Sequence, residues 1–154
     1  RDEVEGRIGI VDYAHTPDAL EKVLNTVRDI RNNRNKIITV FGCGGDRDRT
    51  KRPVMAKVAA QLSDQVIITS DNPRTENPDT IIREIEEGVG AEHIAKVLSI
   101  TDRKQAIKTA VRLAKSGDVV LVAGKGHEKY QDINQVKYPF DDKLILKHAF
   151  ENLI

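Results

Sequence analysis

Several features that would assign the sequence to a membrane, an oxidising compartment or a nucleic-acid partner are scarce or absent. Cys43 is the one cysteine among 154 residues, so no internal disulfide can form, and we expect a reducing, cytoplasmic location. The longest apolar run, Val119–Ala123, is far shorter than the ~18 residues of a membrane-spanning helix. Lys plus Arg number 25 and Asp plus Glu 24, which excludes a general basic field for nucleic acid.

The composition that remains is typical of one soluble globular domain. Apolar residues make up 39% and charged residues 32% of the chain. Its length is close to the ~150 residues of a single domain, and no linker or repeat divides it, so we predict one domain over residues 1–154. Because the chain begins with Arg1 and has a single methionine, Met55, we interpret it as a fragment or a processed product.

Short β-branched runs alternate with segments of helical spacing. The runs predict strands, the fifth and sixth more weakly than the rest: Arg7–Val11, Lys36–Phe41, Gln65–Thr69, Asp118–Ala123, Ile94–Leu98 and Gln131–Lys137. Apolar residues on one helical face predict helices over Leu20–Ile30, Val54–Leu62, Ile81–Val89, Ile107–Ala114 and Leu144–Phe150. This alternation predicts an α/β fold, with a mainly parallel sheet covered by helices on both faces.

Unusual residues follow four of the predicted strands, in segments 12–17, 42–53, 70–75 and 124–128. In a parallel sheet these segments share the carboxyl edge, where ligands of open α/β sheets bind. Two arginines, Arg47 and Arg74, and two carboxylates, Asp71 and Glu128, would form a site of mixed sign there. Such a site suits a zwitterion, because the arginines take a carboxylate and the acids take an ammonium group.

Other residues of these segments have less specific interpretations. The Gly42–Gly45 loop is either a phosphate cradle or a tight turn, and the chain contains neither GxGxxG nor GxxxxGK[ST]. Within the charged run after it, we expect Lys51 and Arg52 to lie on a solvated helix start and Arg47 to point into the edge. His15 and His127 are either acid–base groups or loop hydrogen bonders.

Four motifs follow one another along the chain: DYAHTPDAL at 12–20, FGCGGDRD at 41–48, DNPR at 71–74 and AGKGHE at 123–128. Together they resemble the carboxy-terminal domain of the MurE branch of the Mur ligase family, which adds the third residue of the peptidoglycan stem peptide. The resemblance implies a Rossmann-like open sheet of about six strands. It also implies that the chain is the amino-acid-binding domain of a three-domain ligase whose amino-terminal UDP-binding and central ATPase domains are absent here.

The resemblance implies an ATP-dependent reaction that joins an amino acid to UDP-MurNAc-L-Ala-D-Glu. The DNPR motif implies meso-2,6-diaminopimelate as that amino acid. Carried over by position, the amino-acid-binding residues are Arg47, Asp71, Asn72, Pro73, Arg74, Gly124 and Glu128, and the nucleotide-binding residues are Asp12, Tyr13 and His15. ATP and Mg²⁺ would bind mainly on the central domain, with no metal site and no catalytic residue in this chain. The fragment alone is expected to be inactive, monomeric and free of nucleic-acid and membrane partners.

Three alternatives stay open at this point. The first is a ligase of the same type that adds L-lysine, against which Arg74 argues. The second is a free-standing Rossmann-type nucleotide-binding module, against which the missing GxGxxG argues. The third is an interaction domain without a ligand.

Overall fold

A six-stranded sheet and a separate two-stranded hairpin organise the computed structural model, which describes residues 2–4, 6–31 and 34–153. The strands are β1 (Asp2–Val4), β2 (Arg7–Asp12), β3 (Ile37–Phe41), β4 (Gln65–Ile68), β5 (Val97–Ser99), β6 (Val119–Ala123), β7 (Tyr130–Ile133) and β8 (Val136–Pro139). The helices are α1 (Pro17–Ile30), α2 (Lys51–Leu62), α3 (Pro78–Glu86), α4 (Arg103–Leu113) and α5 (Asp142–Glu151), with a 3₁₀ helix at Ala91–Lys96.

The main sheet has the strand order β1-β2-β6-β3-β4-β5. Its strands β2 to β6 pair in parallel, and β1 pairs antiparallel with β2 at one edge. The parallel arrangement confirms the predicted fold class. It follows from the runs themselves, because every residue of β3 and β6 is buried, as expected for strands covered on both faces.

Successive side chains of each strand point to opposite faces of the sheet, and this alternation divides the core into two layers. On β3, Ile37 and Phe41 pack with α1, α2 and α3, whereas Ile38 and Val40 face α4 and α5 on the other side. Three helices therefore cover one face of the sheet and two cover the other. Among the described residues no helix is long and apolar enough to cross a membrane.

Two predicted strands differ from the structure. The run Ile94–Leu98 begins as a 3₁₀ helix, because its first residues bond locally, and only from Val97 onwards does it pair with β4. The run Gln131–Lys137 is a hairpin rather than one strand, since Asn134 and Gln135 take φ values of 51° and 68° and reverse the chain. The edge strand β1 is absent from the sequence-based prediction.

The apolar spacing predicts an inner face of the last helix formed by Leu144, Ile145, Lys147, His148 and Phe150, and this prediction is wrong in part. Leu144 is exposed on α5, whereas Leu146, Ala149 and Phe150 are buried. The helix is turned this way because the carboxylate of Asp142, in its first turn, is buried against a cation of α4. Positions 142, 146, 149 and 150 then form one face at helical spacing.

Candidate functional site

Loops from neighbouring strands meet closely at the carboxyl edge of the sheet. The Gly45 amide donates to Asn72 O at 2.8 Å, and a Cβ at Gly45 would lie 1.8 Å from Pro73 O. A Cβ at Gly124 would lie 2.7 Å from Asp71 Oδ2, and Gly124 has a φ of +118°. The loops after β3, β4 and β6 can approach this closely because glycine stands at both contacts.

The two predicted arginines flank one glycine of this edge. A methyl group added at Gly44 would lie 2.7 Å from Arg74 Nη1 and 3.5 Å from Arg47 Cγ. Arg74 Nη1 donates to Gly45 O at 2.9 Å, and the exposed Arg47 donates to the carbonyl of Asp46 at 3.0 Å. The structure therefore brings the guanidinium group of Arg74 and the aliphatic stem of Arg47 to the same glycine, although the two residues lie far apart along the chain.

The predicted acidic and amide groups meet where two loops contact each other. Asn72 Nδ2 donates to Glu128 Oε1 at 3.3 Å, and Asp71 and Asn72 are both buried. Glu128 follows β6 and Asn72 follows β4, so this contact joins two of the loops. The predicted amino-acid-binding residues thus surround one turn, with positive charge on its Gly44 side and negative charge on its Glu128 side.

Lys125 lies at the centre of this arrangement, although its position in the sequence predicts no role for it. It is fully buried, and its Nζ donates to Asn72 Oδ1 at 2.6 Å and to Tyr130 O at 2.9 Å. Its ammonium group also lies 3.3 Å from Asp71 Oδ1. A lysine between two glycines resembles a solvated turn in sequence, and nothing local indicates that the hairpin covers it.

The prediction that Arg52 is solvated is wrong. Arg52 is buried and forms ion pairs with Glu76 at 2.7 Å and with Glu84 at 3.1 Å, while donating to Gly44 O at 3.0 Å. Glu76 in turn accepts from the amide of Asp46 at 2.6 Å. This buried arginine therefore holds the backbone that presents Arg47, a role that the charge run alone does not indicate.

The carboxylate of Glu76 gives the fold an acid-sensitive contact. Its hydrogen bonds with Arg52 hold the pKa of Glu76 down from 4.5 to about 2. A carboxyl group whose pKa is depressed on folding stabilises the protein above its unfolded pKa. That stability is lost as the pH falls from about 4.5 through about 2.

We expect Glu76→Gln to flatten the acid limb of the stability profile. Between pH 5 and pH 2.5 the wild type should lose about 1–2 kcal/mol more free energy of unfolding than the variant, because only the wild type protonates this group. Urea unfolding at both pH values measures the difference, and Glu21→Gln, on the exposed side of α1, is the matched control. Equal losses in wild type and Glu76→Gln would contradict the assignment.

A second buried ion pair forms the floor below the site. Arg103 Nε and Nη2 donate to the two carboxylate oxygens of Asp142 at 2.8 and 2.6 Å, and neither side chain is exposed. The same guanidinium donates to Ser70 O at 3.0 Å and Ala123 O at 3.2 Å. It therefore joins α4 and α5 to the ends of β4 and β6, from which the site turns depart.

The predicted nucleotide-binding residues lie beside Gly126 rather than around the arginines. A Cβ at Gly126 would lie 2.9 Å from Tyr13 Cβ. Asp12 accepts from the amide of Ala14 at 2.9 Å, and the rings of Tyr13 and His15 make an edge contact at 4.9 Å. Asp12 and Tyr13 line a cavity of about 280 Å³ that Gly9, Val11, Gly126, His127 and Lys143 complete.

Other groups near the edge have no evident catalytic arrangement. Burial, with a smaller contribution from Asp71, raises the pKa of the Cys43 thiol to about 12, so it stays protonated at neutral pH.

Within residues 2–4, 6–31 and 34–153 no three His, Cys, Asp or Glu side chains are grouped to hold a metal ion. A larger cavity of about 500 Å³ lies behind Pro73 and Gln131, and neither arginine of the site lines it.

Comparison with known proteins assigns the chain to one protein family. The sequence model described as "Mur ligase, glutamate ligase domain" matches residues 1–126. The UDP-N-acetylmuramoyl-L-alanyl-D-glutamate–2,6-diaminopimelate ligase of Cytophaga hutchinsonii is 60% identical over 144 residues, which are 94% of this chain and 29% of that protein. The ligase of the same name from Bacteroides thetaiotaomicron is 59% identical over 146 residues, 95% of this chain and 30% of that protein.

A solved structure gives the same result in three dimensions. A UDP-N-acetylmuramoyl-L-alanyl-D-glutamate–2,6-diaminopimelate ligase superposes with a TM-score of 0.90 at 46% identity, over 99% of this chain and 30% of that one. The chain therefore spans about three tenths of the length of the relatives that it matches.

Proposed function

The chain belongs to the Mur ligase family, and from this premise we propose that it is the carboxy-terminal, amino-acid-binding domain of a longer three-domain ligase. The proposed reaction joins meso-2,6-diaminopimelate to UDP-MurNAc-L-Ala-D-Glu with the consumption of ATP, in peptidoglycan biosynthesis. The observation that carries the proposal is the arrangement of charged side chains at the DNPR turn, with Arg47 and Arg74 beside Gly44 and with Asp71 and Glu128 beside Asn72 and Lys125. We propose that the enzyme acts as a cytoplasmic monomer.

The chemistry of diaminopimelate matches this set of groups. The molecule is lysine with a second carboxylate at its far end, so that end carries both an anion and a cation. Arg74 and Arg47 can take the carboxylate through charge-assisted hydrogen bonds, while Asp71 and Glu128 face the ammonium group. The proposed amino-acid-binding residues are Arg47, Asp71, Asn72, Pro73, Arg74, Gly124 and Glu128.

Rejection of lysine has a physical source in the same geometry. With lysine bound, Arg74 would lose water without gaining an anion, and an unpaired desolvated charge is costly. A site built to bond a polar group can reject the analogue that lacks it by ~10⁴-fold or more. The arginine of the DNPR turn therefore favours diaminopimelate over the lysine-adding alternative.

The nucleotide is proposed to bind between this domain and the central one. The cavity beside Asp12 and Tyr13 fits part of such a ligand, because a carboxylate can accept from ribose hydroxyls and an aromatic ring can stack on a base. His15 lies next to this cavity, because its ring contacts the ring of Tyr13, which lines the cavity. ATP would supply the phosphoryl group that activates the D-glutamate γ-carboxylate, and Mg²⁺ is assigned mainly to the central domain.

The contribution of this domain to the rate is then positional. Its residues hold the amino acid so that an amine faces the activated carboxylate on the neighbouring domain. Holding two reactants in attack geometry can contribute roughly 7–11 kcal/mol. Domain closure would also exclude water from the activated group. No residue of this chain is required as a general base, and we expect no ATP turnover by the chain alone.

Competing amino acids offered to the full-length enzyme test the proposal. With UDP-MurNAc-L-Ala-D-Glu, ATP and Mg²⁺, product formation should be fast with meso-diaminopimelate and slower by at least ~10³-fold in kcat/KM with L-lysine. Faster lysine turnover would show the lysine-adding alternative to be right. Tight binding of a nucleotide by this chain alone, with no ligation of either amino acid by the full-length enzyme, would favour the free-standing module.

A further inference from the structure

We propose that Lys125 is a positioning residue of the amino-acid site, whose buried ammonium group orients Asn72 and fastens the β7–β8 hairpin onto the turn that carries Arg74. The proposal rests on the proposed function, which supplies the ligand. Lys125 does not contact the reacting atoms in this proposal, because its side chain is fully buried.

The ammonium group of Lys125 is surrounded by oxygen atoms from three segments. Its Nζ lies 2.6 Å from Asn72 Oδ1, 2.9 Å from Tyr130 O and 3.3 Å from Asp71 Oδ1. Glu128 Oε1, on its own loop, is 3.7 Å away. A lysine ammonium group has three N–H donors, and here each faces an oxygen atom either of the DNPR turn at 71–74 or of the β7–β8 hairpin.

The first consequence is a fixed orientation of the Asn72 amide. Its Oδ1 accepts from Lys125 at 2.6 Å and from the amide of Asp132 at 2.9 Å. A flipped amide would place its NH₂ group against both donors, so Nδ2 must face Glu128 instead. Lys125 thus determines which end of Asn72 is presented towards the acidic side of the site.

The second consequence concerns the backbone of Arg74. This residue has a φ of 53°, a left-handed conformation that a non-glycine residue rarely adopts without support. The support is the hairpin: Arg74 N donates to Asp132 O at 2.9 Å and Asn134 N donates to Arg74 O at 2.6 Å. Because Lys125 holds the hairpin at Tyr130 O, it stabilises the conformation in which Arg74 is presented.

The third consequence is electrostatic. Asp71 and Glu128 would be two anions around a single ligand ammonium group, and Lys125 supplies the cation that leaves one net negative charge. Burial lowers the pKa of Lys125, and the charge of Arg103 adds to this, whereas Asp71 and Glu128 oppose it. The ring of Tyr130, 5.8 Å away, completes its surroundings.

Lys125→Met in the full-length ligase tests the proposal, since methionine retains an apolar stem without the charge or the donors. We expect KM for the amino acid to rise by at least ~30-fold, while KM for ATP changes less than about twofold. Lys129→Met, the same change at an exposed lysine of the same loop, is the control and should match the wild type.

The split between KM and kcat separates positioning from folding. A residue with only a structural role would reduce the folded fraction, and hence kcat, without changing KM of the molecules that remain folded. An amino-acid KM within about twofold of wild type would therefore overturn the proposal. Ligation by the wild type tests the proposed function separately, and if it joins a different amino acid, the KM of that amino acid decides the role of Lys125.

A measurement on the wild type covers the case in which Lys125→Met does not fold. With ¹⁵N-labelled lysine, NMR should show Lys125 ammonium protons that exchange more slowly than those of Lys129 and that shift when the amino-acid substrate is added. Exchange as fast as that of Lys129, or no shift at saturation, would overturn the proposal.

Discussion

Replacing Arg74 by alanine in the full-length ligase is expected to lower kcat/KM for meso-diaminopimelate by ~10³-fold. Arg74 is the arginine whose guanidinium group reaches between the Gly44–Gly45 turn and its own DNPR turn. Its removal leaves the second carboxylate of the substrate desolvated and without one of its two proposed partners. Turnover with L-lysine, which lacks that carboxylate, should rise rather than fall, because no unpaired Arg74 is desolvated when lysine binds, so the selectivity for diaminopimelate should nearly disappear.

Steady-state kinetics with both amino acids measure this effect. Arg112→Ala, at an exposed position on α4, makes the same truncation away from the site and should leave both constants unchanged. If Arg74→Ala kept the kinetics of diaminopimelate, the interaction-domain alternative would gain support, and the pocket would have to be sought elsewhere on the chain.

Replacing Arg103 by methionine should cause the largest loss of stability, about 3–5 kcal/mol in the free energy of unfolding. The variant leaves the carboxylate of Asp142 buried without a counter-charge. It also removes the donors to Ser70 O and Ala123 O at the ends of β4 and β6. Urea unfolding followed by circular dichroism gives the magnitude.

The double variant Arg103→Met/Asp142→Leu distinguishes a buried charge from a lost packing contact. Once both charges are gone, no uncompensated ion remains, so the double variant should be about 2 kcal/mol more stable than Arg103→Met alone. A double variant as unstable as the single one would show that the carboxylate of Asp142 is not the source of the loss.

Much of the fold could be predicted from the order of residues, because period and capping are local properties. β3 and β6 are short runs rich in β-branched residues, and Thr16 and Asn77 cap α1 and α3 with side chains that accept from amides of the first turn. The hairpin from Tyr130 to Pro139 could not be predicted, because its exposed β8 strand has no core pattern and its turn depends on two residues with positive φ.

The sequence by itself determined the alternation of strands and helices, and with it the edge at which Arg47, Asp71, Arg74 and Glu128 would meet, since parallel strands place their following loops together. Only the tertiary structure decided which of the other charged side chains are buried. Arg52, Arg103 and Lys125 are typical surface residues by type, yet all three are buried. A cation becomes an internal support only where carboxylates and carbonyls from distant segments converge on it, and that convergence is a property of the folded chain.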